Sequence, residues 1–248
     1  MLSIITPVLN GSLYIESTIN SIQKLTIEYE HIVVDGGSTD STLDIIDKYP
    51  HIKLITQVEK LGMYHAIDMG IKQSNGDYVT WVNSDDKIIV LGYEKMYNEM
   101  VEHKLDFVFS NGIHHFTDKY KYKIVTALPF AKYFLREGIF PFVQPSSIFS
   151  KEIYFNLGGF NYSKFKIIGD RDLFQRMSFE DSIKMRYIPV ISSVFLRYND
   201  SLLYRNLEKL GIEHSFTIKT NKSFYIRVLY HSLRIVKNNY WKLKLNRI

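Results

Sequence analysis

Over the first 110 residues the apolar positions follow two periods in turn. Short runs at 2–6, 31–35, 52–56, 78–83 and 107–110 are rich in Ile, Val, Tyr and Phe and end in turn residues or a helix signal, which predicts strands. The stretches between them, 13–24, 41–48, 63–73 and 93–102, carry helical spacing. That alternation predicts right-handed βαβ units: an α/β fold with a mostly parallel central sheet flanked by helices. Ligands of such sheets collect at the carboxyl ends of the strands. From Gly112 to about Tyr198 the alternation fades and aromatics crowd in, among them Phe130, Tyr133, Phe134, Phe140, Phe142 and Phe149. This half is expected to finish the sheet and build a second wall of the cleft. No repeat or flexible linker interrupts the chain, so one catalytic domain is expected over 1–200, with halves at 1–110 and 111–200.

Beyond it, 201–248 reads as a helical tail. Ile226, Leu229, Leu233, Val236 and Tyr240 recur at spacings of three and four and draw one apolar stripe. Between Thr217 and Ile248 stand Lys219, Lys222, Arg227, Arg234, Lys237, Lys242, Lys244 and Arg247, with no Asp or Glu. The whole chain carries +5, so without these eight cations the remainder carries about −3. The basicity belongs to the tail, where a nucleic-acid enzyme would spread it along the path of the strand; no nucleic acid is expected as partner. Such a stripe flanked by cations suits an anionic membrane surface, the packed core, or a second copy in a homodimer. Cysteine is absent, no run reaches the length of a membrane span and no leader pattern follows Met1, which together point to a cytoplasmic protein, peripheral on a membrane at most.

Three strand ends carry polar motifs. Thr6-Pro7-Val8-Leu9-Asn10 follows the first strand and Asp35-Gly36-Gly37-Ser38-Thr39-Asp40 the second. A carboxylate there can accept the imide and hydroxyl hydrogen bonds of a uridine, and glycine lets a ligand approach the backbone. Asp35 could equally shape its turn, and Asp40 reads as a cap for the next helix. The turn Asn83-Ser84-Asp85-Asp86 ends the fourth run. Carboxylates at a strand end, with phosphate oxygens, suit Mn²⁺ or Mg²⁺ and so the charge of a diphosphate; an acidic turn alone is equally a cap or a solvated bend.

The order of these motifs resembles the family-2 inverting glycosyltransferases of the GT-A fold. Ile4-Ile5-Thr6-Pro7-Val8-Leu9-Asn10 and Ile32-Val33-Val34-Asp35-Gly36-Gly37-Ser38-Thr39-Asp40 match its N-terminal pattern. Gly62-Met63-Tyr64-His65-Ala66-Ile67-Asp68-Met69-Gly70 matches its Gly-x-x-x-Ala-x-Asn-x-Gly helix, with Asp68 in place of Asn. The resemblance implies a nucleotide-sugar site of Thr6, Pro7, Asn10, Asp35, Gly62, Asn83, Ser84, Asp85 and Asp86. The family's metal motif is often Asp-x-Asp; with Asn83 at its first position, Asp85 becomes the expected ligand of a divalent cation. Asp86 is then an outer or sugar-contacting group.

Downstream, Gly158-Gly159-Phe160-Asn161 and Gly169-Asp170-Arg171-Asp172-Leu173-Phe174-Gln175-Arg176 resemble the family's Gly-Gly-Phe turn and acidic helix start. The resemblance places Asp170 as the general base that a sugar hydroxyl needs. A helix start favours its ionised form, and a cap is the competing role. Asp172 and Arg176 are spaced for an intrahelical pair. Gln144 and Arg171 are acceptor-side candidates, and Gln144 equally reads as a turn before a buried strand. His65, His114 and His115 are given no role. The expected activity is inverting transfer of one sugar from a UDP-sugar to a hydroxyl of a glycan or lipid-linked acceptor in bacterial surface polysaccharide synthesis. Polyprenyl phosphate as acceptor, or a degenerate binding protein, are the alternatives. A sugar nucleotidyltransferase is disfavoured, because the loop after the first strand has no Lys or Arg.

Overall fold

A computed structural model describes residues 1–198, 207–216 and 224–245. Nine strands form one sheet: β1 (Leu2–Val8), β2 (Tyr29–Asp35), β3 (Ile52–Thr56), β4 (Tyr78–Trp81), β5 (Lys87–Ile88), β6 (Phe107–Phe116), β7 (Lys121–Val125), β8 (Ser147–Ser150) and β9 (Met185–Arg197). Their order is β3-β2-β1-β4-β8-β6-β9-β5, with β7 added to β6. The helices are α1 (Ile15–Ile22), α2 (Thr42–Ile46), α3 (Met63–Lys72), α4 (Val90–Glu102), α5 (Ala131–Arg136), α6 (Lys151–Asn156), α7 (Gly169–Phe179), α8 (Leu207–Phe216) and α9 (Phe224–Leu245).

The first half follows the expected pattern, with β3, β2, β1 and β4 all parallel. The second half does not. β8 runs antiparallel to β4 and β6, β7 to β6 and β5 to β9, leaving β6 and β9 as its parallel pair. The sheet is therefore mixed rather than mostly parallel. A short 3₁₀ turn, Thr117–Lys119, followed by Tyr120 at φ 46°, folds β7 straight back on β6, and a hairpin can pair only antiparallel.

After β3 the chain returns to the other side of β1 to lay down β4, so the strand order reverses between these two strands. Such a reversal opens a crevice at the carboxyl ends, where the loops after β1 and β4 part. Pro7 lies beyond the last residue of β1 that pairs with β4, where a missing N–H removes no bond to that neighbour.

The aromatics of the second half build the core rather than a cleft wall. Phe142 and Phe149 are buried with Trp81, Phe107 and Phe174, and the Trp81 and Phe107 rings lie 5.7 and 5.1 Å from Phe174. Each ring so buried contributes about 1.5–3 kcal/mol. Phe130 and Tyr133 stay exposed.

The tail packs back on the body, and its predicted stripe divides. Ile226 and Leu233 join Tyr230 against Leu128, Phe134 and Ile139, and Trp241 is buried further along α9. Leu229, Val236 and Tyr240 remain exposed, at 52%, 67% and 59%. Lys219, Lys222 and Arg247 lie outside the described residues, as do the side chains of Arg227, Lys242 and Lys244. No helix among the described residues is long and apolar enough to cross a membrane.

Candidate active site

The loops at the carboxyl ends of β1, β2 and β4 lock together through glycines and short polar side chains. Asn10, at φ 51°, donates its N–H to Ser38 Oγ at 2.8 Å, and its Oδ1 accepts the Thr39 N–H at 2.8 Å. Gly11 lies so close to the acidic turn that a Cβ there would sit 3.2 Å from Ser84 Oγ and 2.6 Å from Val8. On the far side, a Cβ on Gly37 would meet Lys60 Cε at 3.1 Å. Lys60 leads into Leu61, whose carbonyl accepts Lys166 Nζ at 2.7 Å, and Gly62 faces the Lys166 stem. Gly62 opens α3 at φ 100°, in the left-handed region that favours glycine. Contacts thus run unbroken from the acidic turn, past the β1 and β2 loops, to the segment before α7.

Several predicted residues serve this framework. Asp35 is buried, and its carboxylate accepts the Gly37 and Ser38 N–H groups and the Ser38 hydroxyl, so it shapes its own turn. Asp40 accepts from the Thr42 N–H at the start of α2 and from the Ser12 N–H, a cap as expected. Thr6 points into the interior, where its hydroxyl pairs with His31 Nε2 at 2.9 Å; burial lowers that imidazole to about 3 and keeps it neutral. Thr6 and Pro7 lie within β1 rather than at its end, because the strand runs on to Val8. Gln144 is buried in a short 3₁₀ turn before β8 and donates its amide to the Trp81 carbonyl of β4 at 2.9 Å. Asp68 accepts Tyr154 OH at 2.8 Å and pairs with Lys72 at 2.7 Å, so the carboxylate that replaces Asn is neutralised locally.

The acidic turn is held from two sides. Thr18 of α1 donates to the carbonyls of Ser84 and Asp86, at 2.9 and 2.7 Å. Asp86 is almost fully buried and accepts the Leu196 N–H of β9 at 3.0 Å and the Asn83 amide at 3.2 Å. Buried there, it fastens the turn to β9 and orients Asn83, the place of an outer group rather than of one exposed to a sugar. Burial, and then the neighbouring Asp85, push the Asp86 carboxyl well above its usual range. Burial also raises Asp85. Asp85 Oδ2 accepts the Tyr198 hydroxyl at 2.8 Å, and that ring packs on Tyr14 with centroids 5.7 Å apart. Asn83 Oδ1 is buried without a partner.

These residues fit a divalent cation. The oxygens not spent on the framework, Asp85 Oδ1 and Asn83 Oδ1, are hard donors, and the two crowded carboxyls would be relieved by positive charge. No cluster of three His, Asp or Glu stands among the described residues, so phosphate oxygens and water would supply the remaining ligands.

Asp170 sits in the first turn of α7. Its Oδ1 accepts the Tyr64 hydroxyl at 3.0 Å and the Arg171 N–H at 2.9 Å, leaving Oδ2 without a donor from any other described residue. Burial raises its pKa against the pull of Arg171 and those hydrogen bonds. The helix start was expected to favour the charge; desolvation outweighs it. The Arg171 guanidinium makes no ion pair or hydrogen bond among the described residues. Arg176 pairs with Asp172 as expected, at 2.9 Å, and also donates to the carbonyls of Leu157 and Gly159 at 2.7 and 2.6 Å. It thereby ties the Gly158–Gly159 turn, with φ 79° and 66°, to α7.

Tyr64 and Tyr198 escaped the sequence reading. Tyr64 stands two residues after Gly62, within the quoted helix motif, so its place beside the cleft was open to inference; nothing in sequence brings Tyr198 to Asp85.

A family model described as Glycosyl transferase family 2 matches residues 3–175. Glycosyltransferase GlyG of Streptococcus pneumoniae is 28% identical over 218 residues, 83% of this chain and 70% of its own length. Against several other relatives the match spans less than half of their length. The solved structure of Staphylococcus aureus TarS with UDP-GlcNAc aligns over 90% of this chain and 68% of its own, with TM-score 0.65 and 17% identity. TarS is named a poly(ribitol-phosphate) beta-N-acetylglucosaminyltransferase. A mannosyltransferase of Pyrobaculum calidifontis, solved with GDP-Man and Mn²⁺, aligns over 86% of this chain and 60% of its own, with TM-score 0.59 and 18% identity.

Proposed function

This chain belongs to glycosyl transferase family 2 and has the GT-A fold, and from that premise we propose that it transfers one sugar, with inversion, from a UDP-sugar to a hydroxyl of a glycan or lipid-linked acceptor of bacterial surface polysaccharide. The observation that carries the reading is Asp170: a half-buried carboxylate with raised pKa, one oxygen tied down and the other unclaimed by any other described residue. As the acceptor oxygen bonds to the anomeric carbon, its proton passes to Asp170 Oδ2 and the bond from that carbon to the diphosphate oxygen breaks. One base and one displacement give inversion. A polyprenyl phosphate oxygen is already ionised and needs no base, so Asp170 favours the hydroxyl.

Asp85, with Asn83, would hold Mn²⁺ or Mg²⁺, which neutralises the departing diphosphate when bound. The loops of Asn10, Gly36–Gly37 and Gly62 line the path of the nucleotide, and the unpaired Arg171 beside the base lies on the acceptor side. Leu229, Val236 and Tyr240 form an apolar line for the cytoplasmic face of an anionic membrane, where a lipid-linked acceptor resides; a homodimer would cover the same line.

A panel of UDP-sugars tests the reading. Divalent-dependent release of UDP is expected from the unaltered protein and should vanish in Asp85→Ala. Asp170→Asn should keep donor binding and lose transfer by about 10²–10⁴-fold. Full transfer by that variant would remove Asp170 as base.

A further inference from the structure

The backbone N–H groups of the segment that delivers Asp170 are not secured by a side chain of its own. Ile168 occupies the N-cap of α7 and makes no side-chain cap, and an isoleucine offers no acceptor for the free N–H groups of a helix start. Their acceptor comes from α8, in the tail. The Glu213 carboxylate, 5% exposed, accepts three successive backbone N–H groups. Its Oε1 takes Lys166 N at 2.7 Å, and its Oε2 takes Ile167 N at 2.9 Å and Ile168 N at 3.0 Å. Leu210, one turn earlier on α8, packs on the cluster of Phe165, Ile167 and Ile168.

The carbonyl of the central residue, Ile167, accepts the hydroxyl of Tyr64 at 3.1 Å, and the same hydroxyl lies 3.0 Å from Asp170 Oδ1. Gly169 leaves room for this, since a Cβ there would come 2.8 Å from the Tyr64 ring. We propose that Glu213 is a positioning residue for the catalytic base: by clasping the backbone of 166–168 it fixes the frame in which Tyr64 orients the Asp170 carboxylate. The tail is then part of the active site's support as well as any membrane contact. The inference rests on Asp170 as the base.

Glu213→Gln keeps the shape of the side chain but turns one acceptor into an NH₂ donor facing backbone N–H groups. With the unaltered full chain and an active UDP-sugar and acceptor, this variant should lower kcat about 10- to 100-fold, as a small misplacement of a reacting group does. The KM for donor should stay within about threefold, because the nucleotide contacts lie elsewhere. The acid limb of its pH–rate profile should move to higher pH, since the Tyr64 bond that favours the ionised Asp170 is loosened. A merely structural role would lower the melting temperature and leave the limb of the folded enzyme in place. Glu213→Asp retains the charge and should recover part of the rate; it also serves if the glutamine variant fails to fold. In the Tyr64→Phe/Glu213→Gln double variant the losses should fall short of additive, because both act along one path. An unmoved acid limb, or fully additive losses, would overturn the proposal. Full activity in Asp170→Asn would instead remove the base on which it rests.

Discussion

Asp170 works under opposing influences, and their balance is measurable. Burial raises its pKa, while Arg171 and the Tyr64 hydroxyl pull it down. With Asp170 as the proposed base, transfer needs the ionised form, so kcat/KM should fall as pH drops through a value above the ordinary carboxylate range of about 4. Tyr64→Phe removes a bond to the charged form and should carry that acid limb to higher pH, as read from a pH–rate profile. At the acidic turn, Tyr198→Phe frees the Asp85 carboxylate that its hydroxyl orients. Mn²⁺ affinity in the presence of UDP should weaken by about 10- to 100-fold in titration calorimetry, the usual loss for a group that orients a metal ligand. The motifs around Asp85 and Asp170 are legible in sequence because each is a short, ordered string. Their partners are not: Tyr198 lies 113 residues beyond Asp85, and Glu213 46 beyond Ile167.

Among elements, α1 and α7 do more than cover the sheet. Thr18 of α1 spans the crevice to hold two carbonyls of the acidic turn. Thr18→Val keeps the shape and should cost about 1–3 kcal/mol in denaturant unfolding, with weaker cation-dependent UDP binding. Arg176 should show a similar loss on conversion to Ala, since the Leu157 and Gly159 carbonyls and the Asp172 carboxylate lose their donor together. The strands and helices of the first half were readable because each βαβ unit buries its apolar period locally. The pairing of β5, β7, β8 and β9 was not, because mixed pairing depends on which distant edge is open rather than on any period within the strand.

Among the contacts that join the tail to the body is a half-buried cation. Lys237 Nζ donates to the Ala127 carbonyl at 3.0 Å and lies 3.7 Å from the Tyr187 ring centroid, and burial lowers it to about 8. An unfolded lysine keeps about 10.4, so between these values the unfolded chain holds the extra proton and stability rises with pH. Thermal melts from pH 8 to about 10 should show that rise, and Lys237→Met should flatten it. Replacing Leu229, Val236 and Tyr240 together by Ser should reduce flotation with anionic vesicles without lowering the melting temperature; unchanged flotation would leave a second copy as their cover. The sequence by itself determined the parallel half of the sheet, the acidic turn and the acidic start of α7, because periods and short motifs act between residues close in the chain. Only the tertiary structure decided that Asp86 is buried and tied to β9, that the apolar stripe of α9 divides, and that a tail carboxylate clasps the approach to Asp170. Those outcomes turn on which surfaces meet and exclude water, and that is a property of the assembled chain.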